Sequence, residues 1–164
     1  MKIKSTLTKL FSSKAFTLIE LLIVIAILGI LAAGILVAVD PVDKISAAND
    51  SKVQNDISGA GRASEAYVTT HNGFYPAALD DLLTSGELKR LPAAPSGYNA
   101  YAVQTMVGTP PANGACVAGS TCTGIIVSGQ LKSKRYTSVG TPVWRYESSS
   151  GKSCSVATAG TACP

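Results

Sequence analysis

Nineteen consecutive positions, Leu21 to Val39, carry apolar side chains or glycine, and Glu20 is the only charge between Ala15 and Asp40. At about 1.5 Å rise per residue, a run of this length crosses a hydrocarbon core of roughly 30 Å. Lipid requires every backbone group to bond within the segment, so a helix is expected from Phe16 to Val39. Asp40-Pro41 interrupts it, because proline lacks the backbone donor and clashes with the preceding turn. A kink or local break is therefore predicted near Val37–Pro41, with Gly29 and Gly34 weakening the helix upstream. Beyond Pro41 the pattern becomes amphipathic. Val53, Ile57, Ala60, Ser64 and Tyr67 recur at spacings of four, three, four and three, which places them on one helical face. Asp50, Lys52, Asp56, Arg62 and Glu65 read as the solvated side, and the small size of Gly59 and Gly61 suits close packing. His71-Asn72-Gly73, with Pro76 following, is a helix stop.

One helix from Phe16 to about Thr70, bent near Pro41, is the economical expectation. A short helical segment follows over Ala77–Leu88, and Leu91-Pro92-Ala93-Ala94-Pro95 ends it. Strands are expected at Tyr98–Thr105, Gly124–Lys132 and Pro142–Glu147, with a weaker fourth at Ser153–Thr158, on β-branched and aromatic content. The fold class is α+β: a long N-terminal helix packed on a small C-terminal antiparallel sheet. The chain divides into a basic leader (1–15), an apolar helix (16–39), its amphipathic continuation (40–71) and a globular head (72–164).

Charge changes the picture at the N-terminus only. Lys2, Lys4, Lys9 and Lys14 precede Phe16, and from there on ten basic residues face ten acidic ones. The net +4 is thus an orientation signal and not a footprint for nucleic acid. Lysines before an apolar span hold that end in the cytoplasm and send the C-terminal part across the membrane. All four cysteines, Cys116, Cys122, Cys154 and Cys163, lie in that exported part, where two disulfides are expected. Three pairings are open; nearest neighbours along the chain favour Cys116–Cys122 and Cys154–Cys163. The spacings do not fit zinc knuckles and His71 is the sole histidine, so no metal and no cofactor are expected.

The segment Lys14-Ala15-Phe16-Thr17-Leu18-Ile19-Glu20-Leu21-Leu22, behind its basic leader, resembles the processing site of type IV prepilins and type II secretion pseudopilins. A softer likeness is Tyr67-x3-His71-Asn72-Gly73-x-Tyr75-Pro76 followed by Leu79, Leu82 and Leu83, similar to the segment after the long helix in many pilins and major pseudopilins. Ala15 stands where the family usually has glycine, and Pro41 sits a few residues later than the family's helix-breaking proline. The resemblance implies cleavage between Ala15 and Phe16 by a prepilin peptidase, methylation of the new Phe16 amine, and assembly into a helical homo-oligomeric filament by a membrane platform and its ATPase. It implies a single-pass protein of the cytoplasmic membrane whose head lies outside the cytoplasm, then a filament outside the cell or in the periplasm. Glu20 would face the N-terminus of a neighbouring subunit. A buried ammonium and carboxylate each offset the other's desolvation, and removing one partner of such a pair costs about 3–5 kcal/mol.

Within that family a pilus subunit is the leading expectation, with a secretion pseudopilin or a DNA-uptake (competence) subunit as alternatives. The major pseudopilin binds calcium through acidic side chains in its C-terminal loops, whereas here only Glu147 follows Glu87. An ordinary signal peptide ending near Gly34 fits neither the length of the apolar run nor Glu20, and a generic anchor leaves the Phe16 motif unexplained. No enzymatic activity is expected. Gly151-Lys152-Ser153 has Tyr146 where a phosphate-binding loop needs its first glycine; Asp80-Asp81 reads as a solvated pair, and His71 as an exposed helix end. Asn49-Asp50-Ser51 is a sequon with no supporting context. Lys132, Lys134 and Arg135 near Tyr136 form a basic cluster that alone does not support nucleic-acid binding.

Overall fold

The computed structural model describes residues 16–108 and 112–164. The leader and Ala15 lie outside the described residues. The chain separates at Pro41 into an N-terminal helical unit and a head, Val42–Pro164.

Helix α1 spans Leu18–Val39, and none of its residues is buried. It starts two residues later than expected because Thr17 is its N-cap, in extended conformation, with Glu20 completing a capping box. It stops at Asp40, which adopts φ 44°. The ring of Pro41 excludes the right-handed helical region for the residue before it, and Asp tolerates the left-handed one better than most side chains. The expected bend is therefore a break. Helix α2, Pro41–Thr70, restarts with proline at its first position, where the missing N–H would have no helical partner anyway. It ends through Asn72 (φ 53°) and Gly73 (φ 85°), whose N–H donates to the Val68 carbonyl at 3.1 Å.

The head adds α3 (Leu79–Thr84), α4 (Lys134–Thr137) and strands β1 (Ala102–Val107), β2 (Ala112–Asn113), β3 (Cys122–Gln130), β4 (Val143–Glu147) and β5 (Lys152–Val156). The sheet order is β2-β1-β3-β4-β5, with every neighbouring pair antiparallel. One row of cross-strand partners, Val103, Val127, Tyr146 and Ser153, faces α2. Against that face pack Val53, Ile57 and Ala60, which with Ile125, Val127, Leu131 and Tyr146 form the main core. Burying each large aliphatic or aromatic side chain contributes about 1.5–3 kcal/mol. Ala63, Tyr67 and Leu82 make a second cluster beneath α3.

Two glycines set the helix–sheet distance. A Cβ on Gly129 would lie 2.8 Å from Ile57 Cδ1 and 2.9 Å from Val53 Cγ1, and one on Gly61 would lie 2.6 Å from Tyr146 Cγ and Cδ2. Gly59 has nothing within 4 Å, so only Gly61 of the helical pair is needed for close approach.

The strand boundaries differ from expectation for local reasons. Tyr98 closes a turn, its N–H donating to Pro95 O at 3.0 Å with Gly97 at φ 81°, and residues 99–101 lead irregularly into β1. β3 stops at Gln130 because Asp50 takes the N–H groups of Lys132 and Ser133. β5 stops at Val156, after which the chain turns back to Cys163. The stretch Lys134–Thr137, which carries part of the basic cluster, is a single helical turn.

Candidate functional site

Two features carry chemistry: the N-terminus of α1, and a set of acidic side chains through which α2 grips the head.

At α1, the Glu20 carboxylate accepts from the Thr17 N–H and the Thr17 hydroxyl, both at 2.8 Å, and the Glu20 N–H donates back to that hydroxyl at 3.3 Å. Three residues separate the partners, one helical turn, so the same backbone that forms the helix brings them together. As a charge in an apolar run Glu20 calls for a cation, and the local partner is signalled in the sequence only by the T-x-x-E spacing of a capping box. Phe16, immediately before the cap, is 85 % exposed. The apolar side chains of α1 are unburied throughout, and its length and composition suffice to cross a membrane.

In the head, Asp50 is buried at 1 % exposure, contrary to its assignment to the solvated face. It accepts from Tyr98 Oη at 2.8 Å and from the N–H groups of Lys132 and Ser133 at 2.9 Å each. Asp43 takes the Lys134 N–H at 2.7 Å. Asp56 accepts from Tyr101 Oη at 2.6 Å and pairs with Lys52 at 2.5 Å. Glu65 accepts from the hydroxyls of both Tyr75 and Tyr146. Burial, reinforced by these acidic partners, holds the phenols of Tyr98, Tyr101 and Tyr146 far above their ordinary range. Tyr75 is pushed up to about 12, first by burial and then by the charge of Glu65. The acidic stripe of α2 is thus an array of acceptors for a tyrosine-rich face.

The remaining sequence candidates find structural partners. Lys132 donates to Gly97 O and lies 5.1 Å from the Tyr98 ring centroid, and Arg135 lies 5.4 Å from that of Tyr136. Asp81 accepts the N–H groups of Ala77 and Ala78 at 2.8 and 2.9 Å, capping α3, while Asp80 is exposed as the solvated reading expects. His71 stacks on Tyr67 with centroids 3.6 Å apart. Gly151-Lys152-Ser153 forms a turn and the start of β5 with no helix after it. Cys116 is bonded to Cys122 and Cys154 to Cys163. No cluster of His, Cys, Asp and Glu suited to a metal occurs among the described residues.

Residues 10–36 match the family model described as the prokaryotic N-terminal methylation motif, the signature of type IV pilins and pseudopilins. No curated protein and no solved structure matches the chain. The match ends inside α1, so the head is read from its own residues.

Proposed function

We propose that this chain is the precursor of a structural subunit of a type IV pilus-like filament, cut between Ala15 and Phe16, methylated at Phe16 and polymerised through α1. The observation that carries the reading is the methylation motif at residues 10–36, which runs into a 22-residue apolar helix with no buried residue among the described residues. In the membrane, lipid covers that helix; in a filament, the helices of other copies do. Glu20 pairs with the amine of a neighbouring copy and sets the stagger between subunits, while Asp40-Pro41 ends the rigid rod before the head begins. A prepilin peptidase, an assembly platform and an ATPase are the partners this requires.

Two observations favour a pilus subunit over its relatives. Glu147, the one acidic side chain after Glu87, already faces Arg145 and the Cys163 N–H, leaving no free carboxylate there for calcium. Lys132 and Arg135 lie against Tyr98 and Tyr136, which weakens a DNA-uptake reading. N-terminal mass spectrometry of protein sheared from cells is the test. A start at methylated Phe16 is expected; a start at Gly34 or Ile35, or an intact Met1, overturns the proposal.

A further inference from the structure

The sheet face turned away from α2 carries a buried ion pair beneath the end of the chain. Ala102, Ser128, Arg145 and Cys154 are successive cross-strand partners. Because side chains alternate along a strand, Arg145 and Glu147 point opposite to Tyr146, away from the core. Arg145 is nevertheless only 3 % exposed and Glu147 9 %. Arg145 Nη2 lies 3.4 Å from Glu147 Oε1, and Arg145 Nε has no hydrogen-bond partner.

Residues 157–164 lie over this pair. Arg145 Nη1 donates to the Ala159 carbonyl, and the Cys163 N–H donates to Glu147 Oε2 at 3.4 Å. Lys152 Nζ reaches the Pro164 carbonyl at 3.4 Å, and Thr158 and Thr161 bond each other. No residue of the segment is buried: Ala159 and Cys163 are half-buried and the rest exposed. Apolar burial therefore does little to hold it down. Desolvation disfavours each charge of an ion pair, and a guanidinium with an unused donor gains by reaching water. Closure covers those charges at that cost, and the hydrogen bonds from Arg145 Nη1 to Ala159 and from the Cys163 N–H to Glu147 hold the segment down together with the Cys154–Cys163 bond.

We infer that residues 157–164 form a thiol-latched lid, which keeps Arg145 and Glu147 dry while the Cys154–Cys163 bond is intact and exposes them when a dithiol breaks it. One thiolate of the dithiol attacks a sulfur of the bridge and forms a mixed disulfide, releasing the other cysteine. The second thiol then closes the reductant's own disulfide. The two electrons and two protons leave the dithiol, and Cys154 and Cys163 end as thiols. Both cysteines are half-buried, within reach of a small reductant; in the other bridge Cys116 is likewise half-buried and Cys122 fully buried. This inference goes beyond the filament reading and does not depend on it.

The test uses the full chain in detergent micelles, treated with graded dithiothreitol and then with butanedione, which modifies accessible guanidinium groups. Peptide mass mapping scores Arg145 against exposed Arg62, Arg90 and Arg135, and amide exchange at Ile125 and Val127 reports whether the sheet is intact. The double variant Cys154→Ser, Cys163→Ser is run without reductant, beside Cys116→Ser, Cys122→Ser. Arg145 should go from unmodified to the modification rate of Arg90 when the C-terminal bridge is opened, with Ile125 and Val127 still protected. It should stay unmodified when only the other bridge is removed. Persistent protection of Arg145 overturns the lid, since the segment then holds without its latch. Loss of protection at Ile125 and Val127 together with Arg145 overturns it equally, since the segment would then be part of the fold rather than a cover on it.

Discussion

Replacing Gly61 by alanine separates helix propensity from helix–sheet packing, because Gly59, two residues away on the same helix, supplies the control. On propensity alone either substitution stabilises α2 by up to about 1 kcal/mol. At Gly59 nothing lies within 4 Å of the new Cβ, so that gain should be realised. At Gly61 the Cβ would sit 2.6 Å from Tyr146 Cγ, where carbon atoms normally keep about 3.5–4.0 Å. Cγ is the root of the ring and cannot swing aside, and the far end of the ring is tied to Glu65. The helix must therefore lift from the sheet by about 1 Å along a surface that also carries Ile57 and Ala60. Overpacking of this kind costs about 1–3 kcal/mol. With so deep an overlap the upper part of that range applies, leaving a net loss of about 1–2 kcal/mol after the propensity gain. The assay is chemical denaturation of the full chain in detergent with both disulfides intact, followed by the fluorescence of Trp144, the only tryptophan, which packs on the core. Gly61→Ala as stable as Gly59→Ala would refute the packing argument.

Asp50→Ala strands the backbone N–H groups of Lys132 and Ser133 in a buried site, while the Tyr98 hydroxyl keeps the Ser46 carbonyl as acceptor at 3.2 Å; at about 1–3 kcal/mol for each unsatisfied donor, the same assay should show a loss of several kcal/mol, larger than for Gly61→Ala. High pH is a second probe of the clamps. Tyr75, Tyr98, Tyr101 and Tyr146 have folded pKa values above the unfolded value of about 10. Their contribution is complete below about pH 10 and is lost as pH rises through the folded values, beginning near Tyr75 at about 12; phenolate absorbance should appear together with unfolding, and free titration of all four near pH 10 in the folded head would contradict the clamps. Glu20→Ala and Glu20→Gln divide the two roles of that carboxylate: glutamine can keep the capping box but has no charge. Both variants should insert and be processed, and both should yield few sheared filaments; normal filament yield from Glu20→Gln would end the case for pairing with a neighbour's amine.

Periodicity made the α2 core face legible in advance, because a pattern of 3.6 residues depends only on neighbours along the chain. Val53, Ile57, Ala60, Ser64 and Tyr67 are all buried where the pattern places them. Asp50 was misread for the complementary reason: the donors that justify its burial come from Lys132 and Ser133, more than eighty positions away. Tyr98 was assigned to a strand on β propensity, although its phenol serves a helix and its backbone a turn. The T-x-x-E signature at Thr17 was in plain view, but the processing motif that shares its residues drew the reading toward a partner outside the chain.

The distance between Asp50 and its donors also governs when the head can fold. A ribosome delivers the chain from the N-terminus, so α2 is complete long before Ser133 or Tyr146 exists. Contacts between Asp50 and Ser133 span 83 positions, and those between Glu65 and Tyr146 span 81. Closing loops of that size slows the search for the native state far more than it weakens the result. Until β3 and β4 arrive, Val53 and Ile57 lack the Ile125, Val127, Leu131 and Tyr146 side chains that complete their cluster. The final third of the sequence thus acts as the timer for the whole head, and a chain truncated before β4 should leave α2 as bait for chaperones and proteases.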